Sequence, residues 1–339
     1  MFHDTLVPCA ERRNINMKTL VVGNGIDIQY GSFDKRGNKA IIDRAINNVK
    51  DNKYQGLDWQ KDSVMDALYY CVETINRVIR KEDIVPKDKD YVFLQMELER
   101  IRRTYLKDIG INEIGLEDIF LGAELLYLNS QNEQERKLVD SIVCDYIQPL
   151  LLDAIYDDGS VNEIYKNFPK SLITYLKKYD AIFTLNYDMN LERALEYEVP
   201  VYHLHGSFDD LLEKSDVVDD EFKHMYCNGI MTWYWLDKYG KEEKDRRYGL
   251  LEFENIEGTV DILGISPCND EQLYIRLNLN KKLTACNYFY FEKEEAVEIR
   301  NHIRGGLEGH ITVCDLSKCP RYDPACVQGL IISMSIQAF

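Results

Sequence analysis

The sequence predicts an α/β protein built on a doubly wound, Rossmann-like parallel sheet with a helical insertion. Short apolar runs that end abruptly in polar residues occur near the start of the chain and again in its second half. Such runs are typical of buried parallel strands that deliver side chains to the carboxyl edge of a sheet. A long stretch of helical periodicity separates the two groups, and helical segments alternate with the later strands, as in βαβ units.

The first strand is predicted at Thr19 to Val22, and a glycine turn follows it. This turn is formed by Gly23, Asn24 and Gly25. Its glycines permit a close approach to a pyrophosphate, and Asn24 and Asp27 can reach ribose or amide groups. A tight strand-to-helix turn without a ligand is the alternative interpretation. The spacing to Gly31 departs from the GxGxxG pattern of dehydrogenases, which disfavours hydride transfer.

Helical periodicity dominates residues 36–178, where helices are predicted at 64–79, 92–105, 116–127, 133–148 and 169–178. Pro149 is expected to stop or kink the fourth of them. Strands are then predicted at 181–185, 200–204, 249–253, 260–265, 286–291 and 311–314, with helices at 270–282 and 293–303. We therefore expect four parts. They are a flexible N-terminal extension (1–16), a Rossmann-like core (17–35 and 179–318), a helical insertion (36–178) and a C-terminal tail (319–339).

Composition narrows the function classes. The chain is 45% hydrophobic and 29% charged, and no apolar run approaches the roughly 20 residues of a bilayer span, so a membrane protein is not expected. A net charge of −17 disfavours direct nucleic-acid binding. Nine cysteines without a CxxC pair predict free thiols in a reducing cytoplasm. Cys314, Cys319 and Cys326 are too unevenly spaced to predict zinc, and no metal is expected.

Four polar strand ends are predicted to converge at one edge of the sheet: 23–27, 186–188, 203–206 and 263–270. Asn186 and His205 would then face one cleft. His203 lies on the same strand face, but His205 is nearer the carboxyl edge and precedes Gly206. Asp188 could orient the site, although a helix cap is the favoured role.

The last of these strand ends carries three further candidates for ribose or phosphate contacts. They are Gly264, Ser266 and Asn269. Glycine permits a close backbone approach, and hydroxyl and amide groups can bond phosphate or ribose oxygens. A turn followed by a helix N-cap would show the same residues, and these residues can both cap a helix and contact a ligand.

The order of these motifs resembles the sirtuin-like NAD-consuming proteins of bacterial antiphage defence and the related AbiH-type abortive infection proteins. The resemblance covers roughly residues 18–30 and 181–291. It implies that Asn186 is the amide beside the nicotinamide ribose, that His205 is the reaction-site histidine, and that the turn at 264–266 contacts phosphate or ribose. Deacylating sirtuins also carry a four-cysteine zinc module, which this sequence lacks, so protein deacylation is disfavoured.

The resemblance implies an NAD glycohydrolase that releases nicotinamide and ADP-ribose, with NAD as the substrate and no other cofactor. Such an activity is toxic unless it is restrained, so we expect a homo-oligomer and a separate regulatory or ATPase subunit. Two alternatives remain open. One is a non-catalytic sensor or assembly module for NAD or ADP-ribose, and the other is an AbiH-type effector that acts on another substrate.

Overall fold

The structure, a computed structural model, describes residues 17–51, 53, 61–82, 84, 92–142, 146–204, 207–208, 251–265, 271–290, 297 and 311–315. Within them, six strands form one sheet in the order β3-β2-β1-β4-β5-β6. The strands are β1 (Lys18–Val22), β2 (Ala181–Thr184), β3 (Val201–His203), β4 (Gly258–Leu263), β5 (Leu283–Tyr290) and β6 (Ile311–Asp315).

Every neighbouring pair of strands is parallel, which confirms the predicted α/β class. The chain builds the sheet outward from β1 through β2 to β3, and then returns to the other side of β1 to begin β4. The strand order therefore reverses between β1 and β4. Open α/β sheets bind their ligands at the carboxyl ends of the strands beside such a reversal.

Helices occupy most of the described chain between β1 and β2. They are α1 (Gly25–Gly31), α2 (Phe33–Arg36), α3 (Asn38–Lys50), α4 (Lys61–Ile79), α5 (Val92–Thr104), α6 (Leu116–Asn129), α7 (Glu133–Ile142), α8 (Gln148–Tyr156), a 3₁₀ helix (Ser160–Asn167) and α9 (Lys170–Leu176). Helices also follow later strands: α10 (Asn190–Ala194), α11 (Leu251–Glu254) and α12 (Glu271–Leu279). No helix in the described residues is long and apolar enough to cross a membrane.

Two predictions are corrected by the structure. Pro149 does not stop a helix, because it lies in the first turn of α8, where a missing N–H removes no helical bond. Helix α7 is described as far as Ile142, and residues 143–145 lie outside the described residues, so a kink before Pro149 stays a prediction. The strand predicted at 249–253 is wrong, because Leu251–Glu254 is a helical turn. A short apolar run does not distinguish a strand from a buried helix by periodicity alone. The predicted helix at 293–303, apart from Val297, and the two terminal segments lie outside the described residues.

Apolar side chains cover both faces of the sheet. Alternation along β1 sends Leu20 and Val22 into one core with the helices between β1 and β2, and sends Val21 into a second core on the opposite face. Phe253 of α11 and Tyr274 of α12 belong to that second core. The sheet is thus doubly wound, and burying each large aliphatic side chain contributes about 1.5–3 kcal/mol.

One carboxylate interrupts the apolar strand β4. Asp261 is 1% exposed and accepts hydrogen bonds from the Tyr179 hydroxyl at 2.8 Å and from the Asn287 side-chain nitrogen at 2.7 Å. The Lys18 ammonium lies 3.8 Å away. These partners come from β1, β5 and the segment before β2, so Asp261 joins three parts of the chain at the sheet.

A second buried carboxyl lies in the helical part. Glu124 of α6 is 4% exposed, and its Oε2 has no hydrogen-bond partner among the described residues. Burial without a compensating charge raises the pKa of Glu124 to about 8. The side chain is therefore protonated in the folded protein at neutral pH.

Candidate functional site

The loops after β1 and β4 contact each other through three glycines. A Cβ atom on Gly23 would lie 2.6 Å from the carbonyl oxygen of Gly264, and one on Gly25 would lie 3.1 Å from the Gly264 Cα. Gly264 itself has a φ of +67°, a conformation that residues with a side chain rarely adopt. Backbone packing at the strand-order reversal thus requires these glycines, whether or not a pyrophosphate also uses them.

Asn186 lies in the loop after β2, and three of its four polar groups are held by hydrogen bonds. Its backbone N–H donates to Thr184 Oγ1 at 3.1 Å, and its side-chain nitrogen donates to Asp27 Oδ2 at 2.9 Å. Its backbone oxygen lies 2.7 Å from His203 Nδ1. Asn186 is 7% exposed, and its side-chain oxygen accepts no hydrogen bond from any described residue. The amide is therefore fixed in orientation with one acceptor atom left over.

Asp27, predicted to reach a ribose or an amide group, lies against amides of this chain. It is 2% exposed, and its Oδ1 also accepts from the Asn190 side chain at 3.3 Å. Burial raises the pKa of Asp27 well above its usual range, and the charge and hydrogen bond of Asp188 raise it further, against smaller opposing effects of Asn190 and Arg36. Asp27 therefore holds its proton more tightly than an exposed aspartate does.

Asp188 does not occupy the N-cap of α10, which is Met189, but it contacts the start of that helix from one position earlier. Its Oδ1 accepts the backbone N–H of Asn190, the first residue of α10, at 2.9 Å. The 3₁₀ helix stabilises this turn through two hydrogen bonds. Asn162 Oδ1 accepts the Met189 N–H at 2.9 Å, and the Asn190 side chain donates to the Val161 carbonyl at 2.8 Å. The helical insertion therefore supports the candidate site directly.

His203 occupies the centre of a second set of contacts. The parallel register pairs it with Thr184, which brings its ring beside the end of β2. Its Nδ1 faces the Asn186 carbonyl, and its Nε2 lies 2.6 Å from Glu192 Oε1 of α10. Both ring nitrogens are thus engaged by this chain.

The remaining predicted residues fall into two groups. Asn24 is exposed beside the glycine contact, and its backbone oxygen accepts the Ile28 N–H of α1. The others are outside the described residues: His205, Gly206, Ser266 and Asn269. Their placement at the site stays a prediction.

Sequence reasoning missed three contributors: Asn162, Asn190 and Glu192. Asn190 and Glu192 follow Asn186 within six positions, and each lies next to the apolar Leu191 in α10. That pattern was the available signal, because buried polar side chains need partners. Asn162 carried no comparable signal, since it lies 24 positions before Asn186 in a polar segment.

The described residues contain no group of His, Cys, Asp or Glu side chains that could hold a metal ion. Compared with known proteins, the chain matches no family model, and no curated protein matches it significantly.

Proposed function

We propose that this protein is an NAD glycohydrolase that cleaves the nicotinamide–ribose bond, giving nicotinamide and ADP-ribose, and that it acts as an antiphage effector of the abortive infection type. The observation that carries the proposal is the three-point anchoring of Asn186 at the carboxyl edge of the sheet, next to the strand-order reversal. The resemblance of the motif order to sirtuin-like NAD-consuming proteins supplies the substrate.

The chemistry suits this arrangement of groups. Breaking the bond to nicotinamide leaves an oxocarbenium-like ribose, while nicotinamide departs as a neutral base and needs no strong acid. The site has to orient ribose hydroxyls and water and to tolerate positive charge. The free side-chain oxygen of Asn186 can accept a ribose hydroxyl, and the neighbouring acidic side chains of Asp27 and Asp188 can favour the developing cation.

The histidine that takes up a proton is proposed to be His205. His203 has both ring nitrogens engaged, by the Asn186 carbonyl and by Glu192, so neither is available to a ribose hydroxyl or water. His205 follows two residues later, beyond the end of β3. Gly23, Gly25 and Gly264 would line the dinucleotide site with Asn24, Ser266 and Asn269.

Regulation is part of the proposal. Unrestrained hydrolysis of NAD in the cytoplasm would kill the cell, so we propose a homo-oligomer whose activity depends on a separate regulatory or ATPase subunit. The enzyme itself uses NAD as its substrate and no other cofactor, and no metal takes part.

The decisive experiment measures nicotinamide release from NAD by the purified protein, with and without the product of the neighbouring gene. Asn186→Ala and His205→Ala should each reduce turnover about 100-fold or more, because each removes a group that contacts the reacting ribose. Asn112→Ala is the matched control, since Asn112 is exposed and lies between α5 and α6 of the helical insertion. NAD binding by calorimetry without turnover would favour a sensor, and absence of both would refute the proposal.

A further inference from the structure

The ring of His203 bridges two elements in a buried position. Its side chain is 9% exposed, that of Glu192 is 8% exposed, and the ring links α10 to the loop after β2. Among the described residues, His203 is the only basic group within 4.0 Å of the Glu192 carboxylate. Glu192 Oε2 is buried and has no hydrogen-bond partner there. The pair is therefore shielded from water, where a hydrogen bond between charged groups is strong.

The partners of the ring fix its protons. A backbone carbonyl only accepts, so Nδ1 carries a hydrogen that it donates to Asn186. A neutral ring would then turn the lone pair of Nε2 toward a carboxylate, whereas an imidazolium donates to both partners. Burial lowers the pKa of His203, but the hydrogen bond and charge of Glu192, the Asn186 carbonyl and the charge of Asp188 together raise it above its ordinary value.

We propose that the Glu192–His203 pair is a positioning device that holds the Asn186 loop in its working geometry. The inference rests on the proposed function, in which Asn186 contacts the ribose. Of the three groups that anchor Asn186, Thr184 lies in the strand just before it and Asp27 holds only the side chain. His203 alone ties the backbone of Asn186 to a different strand. His203 is thus a positioning residue, and it acts through Asn186.

The direct test observes Asn186 and His203 by NMR, with no substrate present. Glu192→Gln removes the charge and should lower the pKa of His203 in a titration of its ring signals. His203→Ala should shift the Asn186 side-chain amide signals and accelerate hydrogen exchange of its backbone N–H. His203→Gln, which can still donate to a carbonyl, should restore part of that protection. Glu198→Gln is the matched control, because Glu198 is exposed and pairs with Lys177 at 2.7 Å.

Activity provides the second readout. His203→Ala should lower kcat for NAD about 10- to 100-fold with little change in KM, since a shift of about 1 Å in a reacting group costs that much. In wild type, the loop should loosen as pH rises through the raised pKa of His203, and Glu192→Gln should move this transition to lower pH.

The outcomes separate the two proposals. If Asn186 signals and exchange are unchanged in His203→Ala and Glu192→Gln, the positioning inference is wrong, whatever the activity. If those signals move but wild-type protein neither binds nor hydrolyses NAD, the positioning role stands and the proposed function fails.

Discussion

The carboxyl group of Asp27 lies 2.9 Å from the side-chain nitrogen of Asn186, across 159 positions of the chain. The contact joins the first helix after β1 to the loop after β2, and the whole helical insertion lies between them in sequence. Asp27, which the sequence predicted to contact a nucleotide, thus orients the side-chain amide of Asn186, which is proposed to contact the ribose.

Replacing Asp27 tests whether its carboxyl is protonated in the folded state. Asp27→Asn should cost about 1–2 kcal/mol, because the amide keeps one acceptor oxygen and, like the protonated acid, can donate to Asp188. Asp27→Ala should cost about 2–4 kcal/mol, since it removes an acceptor from the buried amides of Asn186 and Asn190. Urea unfolding at pH 7 measures both, with the exposed Asp34→Asn as control. Equal losses for the two Asp27 variants would mean that the carboxyl is ionised.

The glycine contact can be tested by adding one methyl group. Gly23→Ala should destabilise the protein by about 2 kcal/mol or more, because the new Cβ would meet the backbone oxygen of Gly264, which cannot move independently. Gly110→Ala is the matched control, because its Cβ would lie 3.5 Å from the flexible Glu113 side chain. Thermal unfolding distinguishes them, and a Gly23→Ala protein as stable as the control would disprove the close packing.

Glu124 should make stability depend on pH. Its folded pKa of about 8 exceeds the ordinary value of 4.5, so the folded state holds the proton more tightly. Its contribution is complete below pH 4.5 and is lost as pH rises toward 8, by roughly 5 kcal/mol in total. Glu124→Gln should remove this decline in urea unfolding between pH 5 and 9. The exposed Glu99→Gln should retain it, and parallel curves for wild type and Glu124→Gln would contradict the assignment.

The hydrogen bond between Tyr179 and Asp261 should contribute measurably to stability. Tyr179→Phe should cost about 1.5–3 kcal/mol, because a buried hydrogen bond to a carboxylate is lost. Tyr197→Phe serves as control, since Tyr197 is 69% exposed. In a double-mutant cycle with Asp261→Asn the two changes should not be additive. Additive losses would show that the two side chains act independently.

The strands could be predicted because their signal is local. Runs such as Thr19 to Val22 and Ala181 to Thr184 are continuously apolar, as strands buried on both faces must be, and the structure confirms them as β1 and β2. The segment around Phe253 was mistaken for a strand because four residues are too few to establish a period.

The candidate site was only partly predictable. The position of Asn186 after a predicted strand places it at the carboxyl edge of the sheet, but it does not show which acidic side chain is buried against Asn186. Asp27 contacts both Asn186 and Asn190, and Asn190 is in turn bonded to the 3₁₀ helix. These contacts depend on how distant segments pack, which no local sequence pattern encodes. The contact of His203 with Glu192 could not be predicted either, since Glu192 lies in a helix, eleven positions earlier in the chain.

The strand order also has a consequence for synthesis on the ribosome. Strand β1 is made first, but its neighbour β2 pairs Ala181 with Thr19, 162 positions later. At about 5–20 residues per second, β1 waits roughly 10–30 s for a partner. During that delay the nascent helices can shield Leu20 and Val22, with which they share a core, whereas Val21 stays uncovered until the second half emerges. The glycine contact between the loops after β1 and β4 can therefore form only after Gly264 has been made, more than 200 residues after Gly23 and Gly25.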